Sequence, residues 1–381
     1  MPRRTAVLAL ASLALAVGPR SGSSAPPAGS GLLLVANKGD HTLGIIDPLA
    51  GRQVATVGQS GVTGHEVVAS PDGRTAFVPI YGDSGVGRPG SDGRTVDVID
   101  LVRRERVATF DLGRAERPHC AAFGRDGRLY VTTELTNTLT VLDPATGRMV
   151  DRIPTGEPES HMVALTRDGT RAYTSNVHGG TVSAIDLRER KVLAVIPVSS
   201  IAQRIALSVD DRWVFTADQA EPRLAVIDTA TNRVNQYAAL PGIAYGMAPT
   251  PDGRWLVLAL IRANQVGLLD LQTMRVVKTL DVPKSPQFVL VRPDGQVAYV
   301  SCDQSGKVAE IDLREFRVTR LIQAGPLADG LAWAPATPTR ACSKLPTSSS
   351  SQSGAITSVS LFRKHNTSPR AFRTAKLLIA E

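Results

Sequence analysis

Three histidines occupy the same position in a repeated pattern, and imidazole suits zinc and copper among the common protein-bound metals. His65, His119 and His161 each lie seven residues before the Asp of an Asp-Gly turn. If the repeats surround an axis, equivalent positions of neighbouring repeats lie side by side. Zinc sites with three His ligands and an open fourth position have Zn–N distances of about 2.0–2.1 Å. The spacing makes His65, His119 and His161 the candidate ligands of one divalent ion, zinc or copper.

Two other interpretations of these histidines remain open at this point. An organic small molecule or a protein partner could bind at the same place, or the imidazoles could line a solvated channel mouth and bind nothing. His41 and His178 fall in loops that we expect on the same face, and His365 lies in the C-terminal region. The concentration of His on one face makes that face the candidate site under the first two interpretations.

In the other repeats, too, the position seven residues before the turn Asp holds a polar or hydrogen-bonding residue. We expect them to line the channel mouth beside the histidines and to contact a ligand. Carboxylates there could orient ligating imidazoles through hydrogen bonds or act as a general base. The candidate ligand-binding residues are Arg204, Tyr245, Gln287 and, by alignment, Asp329, together with Glu66 after His65 and Glu134 in a nearby loop.

The pattern that positions these residues is an apolar strand, an Asp-Gly type turn, a second strand, a polar loop, a third strand ending in Ile/Leu-Asp, and a fourth strand. Asp-Gly after an apolar strand is a strong hairpin signal, because Gly readily adopts the positive φ of a tight turn. The strand-end anchors are Asp47, Asp100, Asp143, Asp186, Asp228, Asp270 and Asp312. The turn anchors are Asp72, Asp126, Asp168, Asp211, Asp252 and Asp294.

A period of about 42 residues with four short strands is typical of a β-propeller blade. Leu32 to Val57 supply only three strands, and Gly330 to Pro335 align with the missing inner strand. Pairing of the C-terminal strand into the N-terminal blade would close the ring and leave no long open edge. The sequence therefore predicts an all-β, seven-bladed propeller over residues 31–335.

Within this pattern, the segments Ser160–Leu165, Arg167–Gly169, Ala172–Asn176 and Gly180–Asp186 resemble the YVTN-repeat propellers. The resemblance extends over nearly all of residues 31–335. It implies a seven-bladed fold and an exported protein. The family is functionally mixed, so the resemblance implies no particular reaction.

The first 30 residues have the layout of a bacterial secretory signal peptide followed by a short linker. Arg3 and Arg4 precede an apolar run from Ala6 to Val17, and Ser23 and Ala25 suit the −3 and −1 positions of a cleavage site. We expect the mature protein to be periplasmic or secreted, with no membrane span. Residues 336–381 match no repeat; a disordered basic, Ser-rich tail and a frameshifted gene end are the two interpretations.

The distribution of charge argues against a nucleic-acid partner. The net charge of +8 comes from +3 in residues 1–30 and +6 in residues 336–381, which leaves about −1 for residues 31–335. A basic surface is the electrostatic footprint of nucleic-acid binding, and the propeller lacks that excess. The three cysteines form no disulfide framework. We expect a monomer.

The second repeat is extended by a Gly-rich insertion, Gly82 to Arg94, on the His face. It could border the channel mouth, as functional loops on rigid scaffolds do, or be a tolerated surface insertion. The sequence has no phosphate-binding Gly-rich loop, nucleophile elbow or paired zinc-cysteine spacing. The favoured hypothesis is a binding module that holds a ligand, metal or protein partner at the His face. The alternative is a metal-dependent hydrolase, lactonase or lyase that uses the three His, and an inert architectural ring is a third interpretation.

Overall fold

The structure is a computed structural model that describes residues 29–83 and 85–336. All of them belong to the first of two units into which the chain divides, Met1–Thr339. The predicted signal peptide, its linker apart from residues 29 and 30, and nearly all of the unassigned C-terminal segment lie outside the described residues. So do Cys342 and His365.

The described residues form seven antiparallel sheets of four strands, which are the blades. Blade 1 contains β28 (Ala328–Pro335), β1 (Gly31–Asn37), β2 (Thr42–Asp47) and β3 (Arg52–Gly58), and blade 2 contains β4 (Val68–Ala69), β5 (Thr75–Gly82), β6 (Asp92–Asp100) and β7 (Glu105–Asp111). Blade 3 contains β8 (Pro118–Phe123), β9 (Leu129–Thr133), β10 (Thr138–Leu142) and β11 (Met149–Pro154). Blade 4 contains β12 (Ser160–Leu165), β13 (Arg171–Asn176), β14 (Thr181–Asp186) and β15 (Lys191–Pro197). Blade 5 contains β16 (Ala202–Leu207), β17 (Trp213–Asp218), β18 (Arg223–Asp228) and β19 (Arg233–Ala239). Blade 6 contains β20 (Ala244–Pro249), β21 (Trp255–Leu260), β22 (Gln265–Asp270) and β23 (Arg275–Asp281). Blade 7 contains β24 (Pro286–Val291), β25 (Val297–Cys302), β26 (Lys307–Asp312) and β27 (Arg317–Gln323). Short 3₁₀ helices span Glu134–Thr136 and Asp303–Ser305.

The two ends of the described chain meet in blade 1. Strand β28 pairs antiparallel with β1, with Leu33 opposite Trp333 and Gly31 opposite Pro335. The predicted seven-bladed, all-β fold and its closure by the C-terminal strand are confirmed. Among the described residues, no helix has the length and apolar character needed to cross a membrane.

Burial follows the position of a strand within its blade. The middle strands β13 and β14 are almost continuously buried, because neighbouring blades cover both of their faces. The outer strand β15 alternates between exposed residues and residues that are partly or, at Ile196, fully buried. One apolar cluster packs Phe215 and Leu224 of blade 5 against Leu256 and Leu258 of blade 6. Such contacts between blades fix the positions at which the inner strands approach the channel.

The strand-end Asp residues stabilise turns, as the sequence predicts. Asp143 Oδ1 accepts hydrogen bonds from the backbone N–H groups of Ala145 (2.9 Å) and Thr146 (3.1 Å). These backbone bonds lower the pKa of Asp143. Asp47 accepts the equivalent pair from Leu49 and Ala50. The repeated carboxylates are therefore used in the turns, away from the channel.

Candidate functional site

The inner strands carry a β-bulge where they enter the channel. In blade 3, Pro118 pairs with Thr133 and Ala121 with Val131, so His119 and Cys120 share one opposing residue, Thr132. The hydroxyl of Thr132 accepts a hydrogen bond from the Cys120 N–H at 3.0 Å, which satisfies an amide that the bulge leaves unpaired. Bulges redirect side chains, and here the first bulged residue is His119, one of the three candidate ligands.

The same two-residue bulge recurs in blades 4 to 7 and in the closing strand. Blade 2 has the equivalent segment, His65 and Glu66, between the Gly64–Ile80 bridge and the short strand β4. In the other blades the first bulged residues are His119, His161, Gln203, Tyr245, Gln287 and Asp329.

In blade 5, the residue seven positions before Asp211, Arg204, is one position too late. Asp210, rather than Asp211, accepts the turn bonds from Ser208 Oγ (2.6 Å) and the Arg212 N–H (3.2 Å). Asp211 adopts φ 59°, the left-handed conformation that Gly supplies in the other turns. The residue of blade 5 that corresponds to His119 and His161 is therefore Gln203, and Arg204 is the second residue of the bulge.

The three predicted histidines lie together with Tyr81 of β5. The ring centroids of His65 and His119 are 5.2 Å apart, and those of His119 and His161 are 3.6 Å apart. The Tyr81 ring lies 4.9 Å from His65 and 5.2 Å from His119. His119 and His161 are buried, whereas His65 remains partly exposed. We call His65, His119, His161 and Tyr81 the His cluster.

The imidazoles of the His cluster are neutral at physiological pH. Burial lowers the pKa of His65 to about 4. Burial and, second, repulsion from a proton on His161 lower the pKa of His119, while burial and the Arg204 guanidinium lower that of His161. The Nδ1 atoms of His119 and His161 are buried and have no hydrogen-bond partner among the described residues. Buried polar atoms in proteins are nearly always partnered, so two unpartnered nitrogens on adjacent blades are exceptional.

The orientation of the rings bears on the metal hypothesis. The His119 and His161 planes differ by only 30°, so the rings lie nearly face to face. Among the described residues, no group of three or more His, Cys, Asp or Glu is arranged to hold a metal ion. Coordination of one ion by His65, His119 and His161 would require the rings to rotate.

Arg204 reaches across the channel from blade 5 to blades 1 and 2. Its Nη1 donates to Glu66, and its Nη2 donates to Asp329 Oδ1 at 2.9 Å. Lys38 Nζ lies 3.0 Å from Asp329 Oδ2. Burial opposes ionisation of both carboxyls. For Glu66 burial outweighs the attraction of Arg204, so the pKa is raised. For Asp329 the charges of Lys38 and Arg204 outweigh burial, so the pKa lies below its usual value. We call these four residues the cross-channel network.

The remaining predicted residues surround this network. The Arg204 guanidinium lies 4.7 Å from the centroid of the Tyr245 ring, a cation–π contact. Gln287 Nε2 donates to Ser285 Oγ (3.1 Å) and to Asp303 Oδ2 (3.3 Å). The structure thus brings Arg204, Tyr245, Glu66 and Asp329 together, whereas the amide nitrogen of Gln287 is bonded within its own blade.

Glu134 connects the blade 2 insertion to the His cluster. It accepts hydrogen bonds from Tyr81 Oη and from the Gly87 N–H (3.1 Å) and forms an ion pair with Arg117 Nη1 (3.0 Å). Arg117 also donates to Asp92 Oδ1 and to the Arg88 carbonyl, each at 2.5 Å. A Cβ on Gly87 would lie only 2.5 Å from Glu159 Oε1, which places the insertion against blade 4.

We predict that Arg117→Ala releases the insertion. The change removes three hydrogen bonds and leaves the Glu134 carboxylate buried without its cation. Amide hydrogen exchange in residues 85–94 should accelerate at least about tenfold, since lost bonds lower the free energy of local opening. Arg114→Ala is the matched control, because Arg114 is exposed and its partner Glu116 keeps two bonds from Arg152. Equal exchange in both variants would show that Arg117 does not hold the insertion.

Sequence reasoning did not identify Tyr81, Arg117, Lys38 or Gln203. Tyr81 and Arg117 carry no repeat signal, since their importance comes from contacts with Glu134 that the repeat does not predict. Gln203 could have been found, because Ser/Thr two residues before the turn Asp recurs in Ser70-Asp72 and Thr166-Asp168. Ser208-Asp210 has the same spacing.

Comparison with known proteins supports the fold alone. No protein-family model matches the chain, and no curated protein matches it. Among solved structures, hydrazine synthase of Kuenenia stuttgartiensis is similar, with 21% sequence identity and a TM-score of 0.64. The match covers 74% of this chain and 93% of that chain.

Proposed function

We propose that this protein is an exported binding module of the YVTN-repeat type, which holds a ligand at the His cluster in the mouth of its channel. The leader-like residues 1–30 support export to the periplasm or the exterior. A rigid ring that presents side chains from every blade at one opening suits binding, because the fold fixes their positions.

One observation indicates where the ligand binds. The Nδ1 atoms of His119 and His161 are buried without a partner, on adjacent blades, in rings 3.6 Å apart. An unpartnered buried polar atom costs about 1–3 kcal/mol. A ligand that satisfied both nitrogens would recover that cost, so burial of these atoms favours binding at the His cluster.

In its more specific form, the proposal has one divalent ion, zinc or copper, held by His65, His119 and His161. Neutral imidazole is the form that binds these metals. Their side chains meet in one cluster, and coordination of one ion would require their rings to rotate.

The hydrolase, lactonase or lyase alternative would have to use an imidazole rather than Glu66 or Glu134 as its base. A carboxylate that acts as a general base must be free to accept a proton from the reacting group. Glu66 is bonded to Arg204, and Glu134 is bonded to Tyr81 and Arg117. Both of these carboxylates are therefore engaged.

Metal content tests the proposal directly. We expect the full chain, produced without a His tag, to contain about one equivalent of zinc or copper by inductively coupled plasma mass spectrometry. A variant with His65, His119 and His161 all changed to Ala should lose it. Replacement of the exposed His178 by Ala is the control and should retain the metal. If the parent chain stays metal-free after reconstitution with either ion, the metal form is wrong and the cluster should be screened against organic ligands and proteins.

A further inference from the structure

A pocket of about 400 Å³ lies between the blade 2 insertion and the loops of blades 3 and 4. The insertion contributes Gly87 and Arg88 to its lining, blade 3 contributes Arg117 and Glu134, and blade 4 contributes Glu159. Gly87 and Arg88 are exposed, whereas Arg117 and Glu134 are buried. The pocket therefore extends inwards from the surface to a buried ion pair.

Tyr81 connects that ion pair to the imidazoles of the His cluster. Its hydroxyl donates to Glu134, and the Arg117 guanidinium lies 5.6 Å from the centroid of its ring. The same ring lies 4.9 Å from that of His65 and 5.2 Å from that of His119. Tyr81 is completely buried and does not line the pocket. Arg117 and Glu134 thus contact the pocket as well as the side chain that packs on the imidazoles.

The ion pair also holds the insertion. Arg117 donates to Asp92 Oδ1 and to the Arg88 carbonyl, and Glu134 accepts a hydrogen bond from the Gly87 N–H. Residues 87–91 are all exposed. Exposed loops with few buried contacts open at a low cost in free energy. Opening of this loop would break bonds to the two residues that fix Tyr81.

The two imidazoles with unpartnered nitrogens are shielded from solvent. His119 is 1% exposed and His161 is 3% exposed, and the Nδ1 atom of each has no hydrogen-bond partner among the described residues. A ligand can reach these atoms only if a neighbouring side chain moves. Tyr81 is such a neighbour, and its hydroxyl is held by a residue that lines a surface pocket.

We propose that this pocket is the entrance to the His cluster and that Arg117, Glu134 and Tyr81 form its gate. The inference rests on the proposed function in one respect, that the His cluster is the ligand site. The described arrangement is the closed state. Opening breaks the bonds from Arg117 to the insertion and releases the Tyr81 hydroxyl, so that the ring can turn away from His119.

Modification of the full chain by diethyl pyrocarbonate tests the gate without a ligand. This small reagent acylates accessible neutral imidazoles, and peptide mass spectrometry gives the rate for each histidine. In the parent, His119 and His161 should react slowly compared with the exposed His41. In Arg117→Ala both should react at least about tenfold faster, because the variant loses the bonds that keep the insertion closed.

A second variant and a control separate the gate from a general loss of charge. Tyr81→Phe keeps the ring but loses the bond to Glu134, so modification of His119 and His161 should again be faster than in the parent. Arg114→Ala removes an exposed guanidinium from the same loop and should leave both rates unchanged.

Cys302 reports whether the whole propeller has opened. It is completely buried in blade 7, and its alkylation by iodoacetamide should be equally slow in the parent and in both variants. If modification of His119 and His161 rose only together with alkylation of Cys302, global unfolding would explain the exposure and the gate would be wrong.

The remaining outcomes distinguish the gate from the proposed function. If His119 and His161 stay unreactive in both variants, the pocket is not the entrance to the His cluster, and the proposed function is unaffected. If both histidines become reactive as expected but the parent binds neither zinc nor copper, the gate stands and the metal form of the proposed function is wrong.

Discussion

Replacing Arg204 with Met should lower the free energy of unfolding by about 3–5 kcal/mol, the usual cost of removing one partner from a buried ion pair. Arg204, Glu66 and Asp329 are 3%, 3% and 2% exposed. Without the guanidinium, Glu66 loses its ion-pair partner, while Asp329 keeps Lys38 at 3.0 Å. Urea denaturation followed by circular dichroism measures the change.

Two further variants define the cause of that loss. The double variant Arg204→Met, Glu66→Gln should recover part of the stability, because a neutral amide is less costly to bury than a carboxylate. Arg94→Met should change little, since Arg94 and its partner Asp111 are both largely exposed. If Arg204→Met were no more harmful than Arg94→Met, the cross-channel network would not contribute to stability.

The closing strand should have the largest effect of all. We expect a chain that ends at Leu327, and so lacks β28, to lose cooperative unfolding altogether. β28 supplies the inner strand of blade 1 and buries Leu331, Ala332 and Ala334. The summed loss of about 5 kcal/mol or more is comparable to the whole stability of many domains.

A chain that ends at Ala336 is the control for this truncation. It keeps the whole of β28 and the final backbone bond of the described segment, from the Ala336 N–H to the Ser30 carbonyl at 3.0 Å. It should unfold cooperatively, at a midpoint close to that of the full chain, in differential scanning calorimetry. Equal behaviour of both truncated chains would mean that ring closure is dispensable.

The fold was predictable because its signals are local and repeat in every blade. Strand-end Asp, tight turns and alternating apolar strands mark the blades, and the absence of one inner strand at the start indicates closure. The turn of blade 5 misled the count because two Asp residues are adjacent and the second, Asp211, takes the conformation that Gly has elsewhere.

The site was predictable only in part, because its contacts join distant segments. The register placed His65, His119 and His161 together. The bonds from Arg204 to Glu66 and Asp329 depend on how far a long side chain extends across the channel. The stacking of His119 on His161 depends on rotamers, which spacing does not determine.

The cross-channel network has a consequence for traffic through the ring. Arg204 spans from blade 5 to carboxylates of blades 1 and 2, and all three side chains are almost completely shielded from solvent. These side chains occupy the space between blade 5 and blades 1 and 2. A ligand could pass through that part of the ring only if the ion pairs opened.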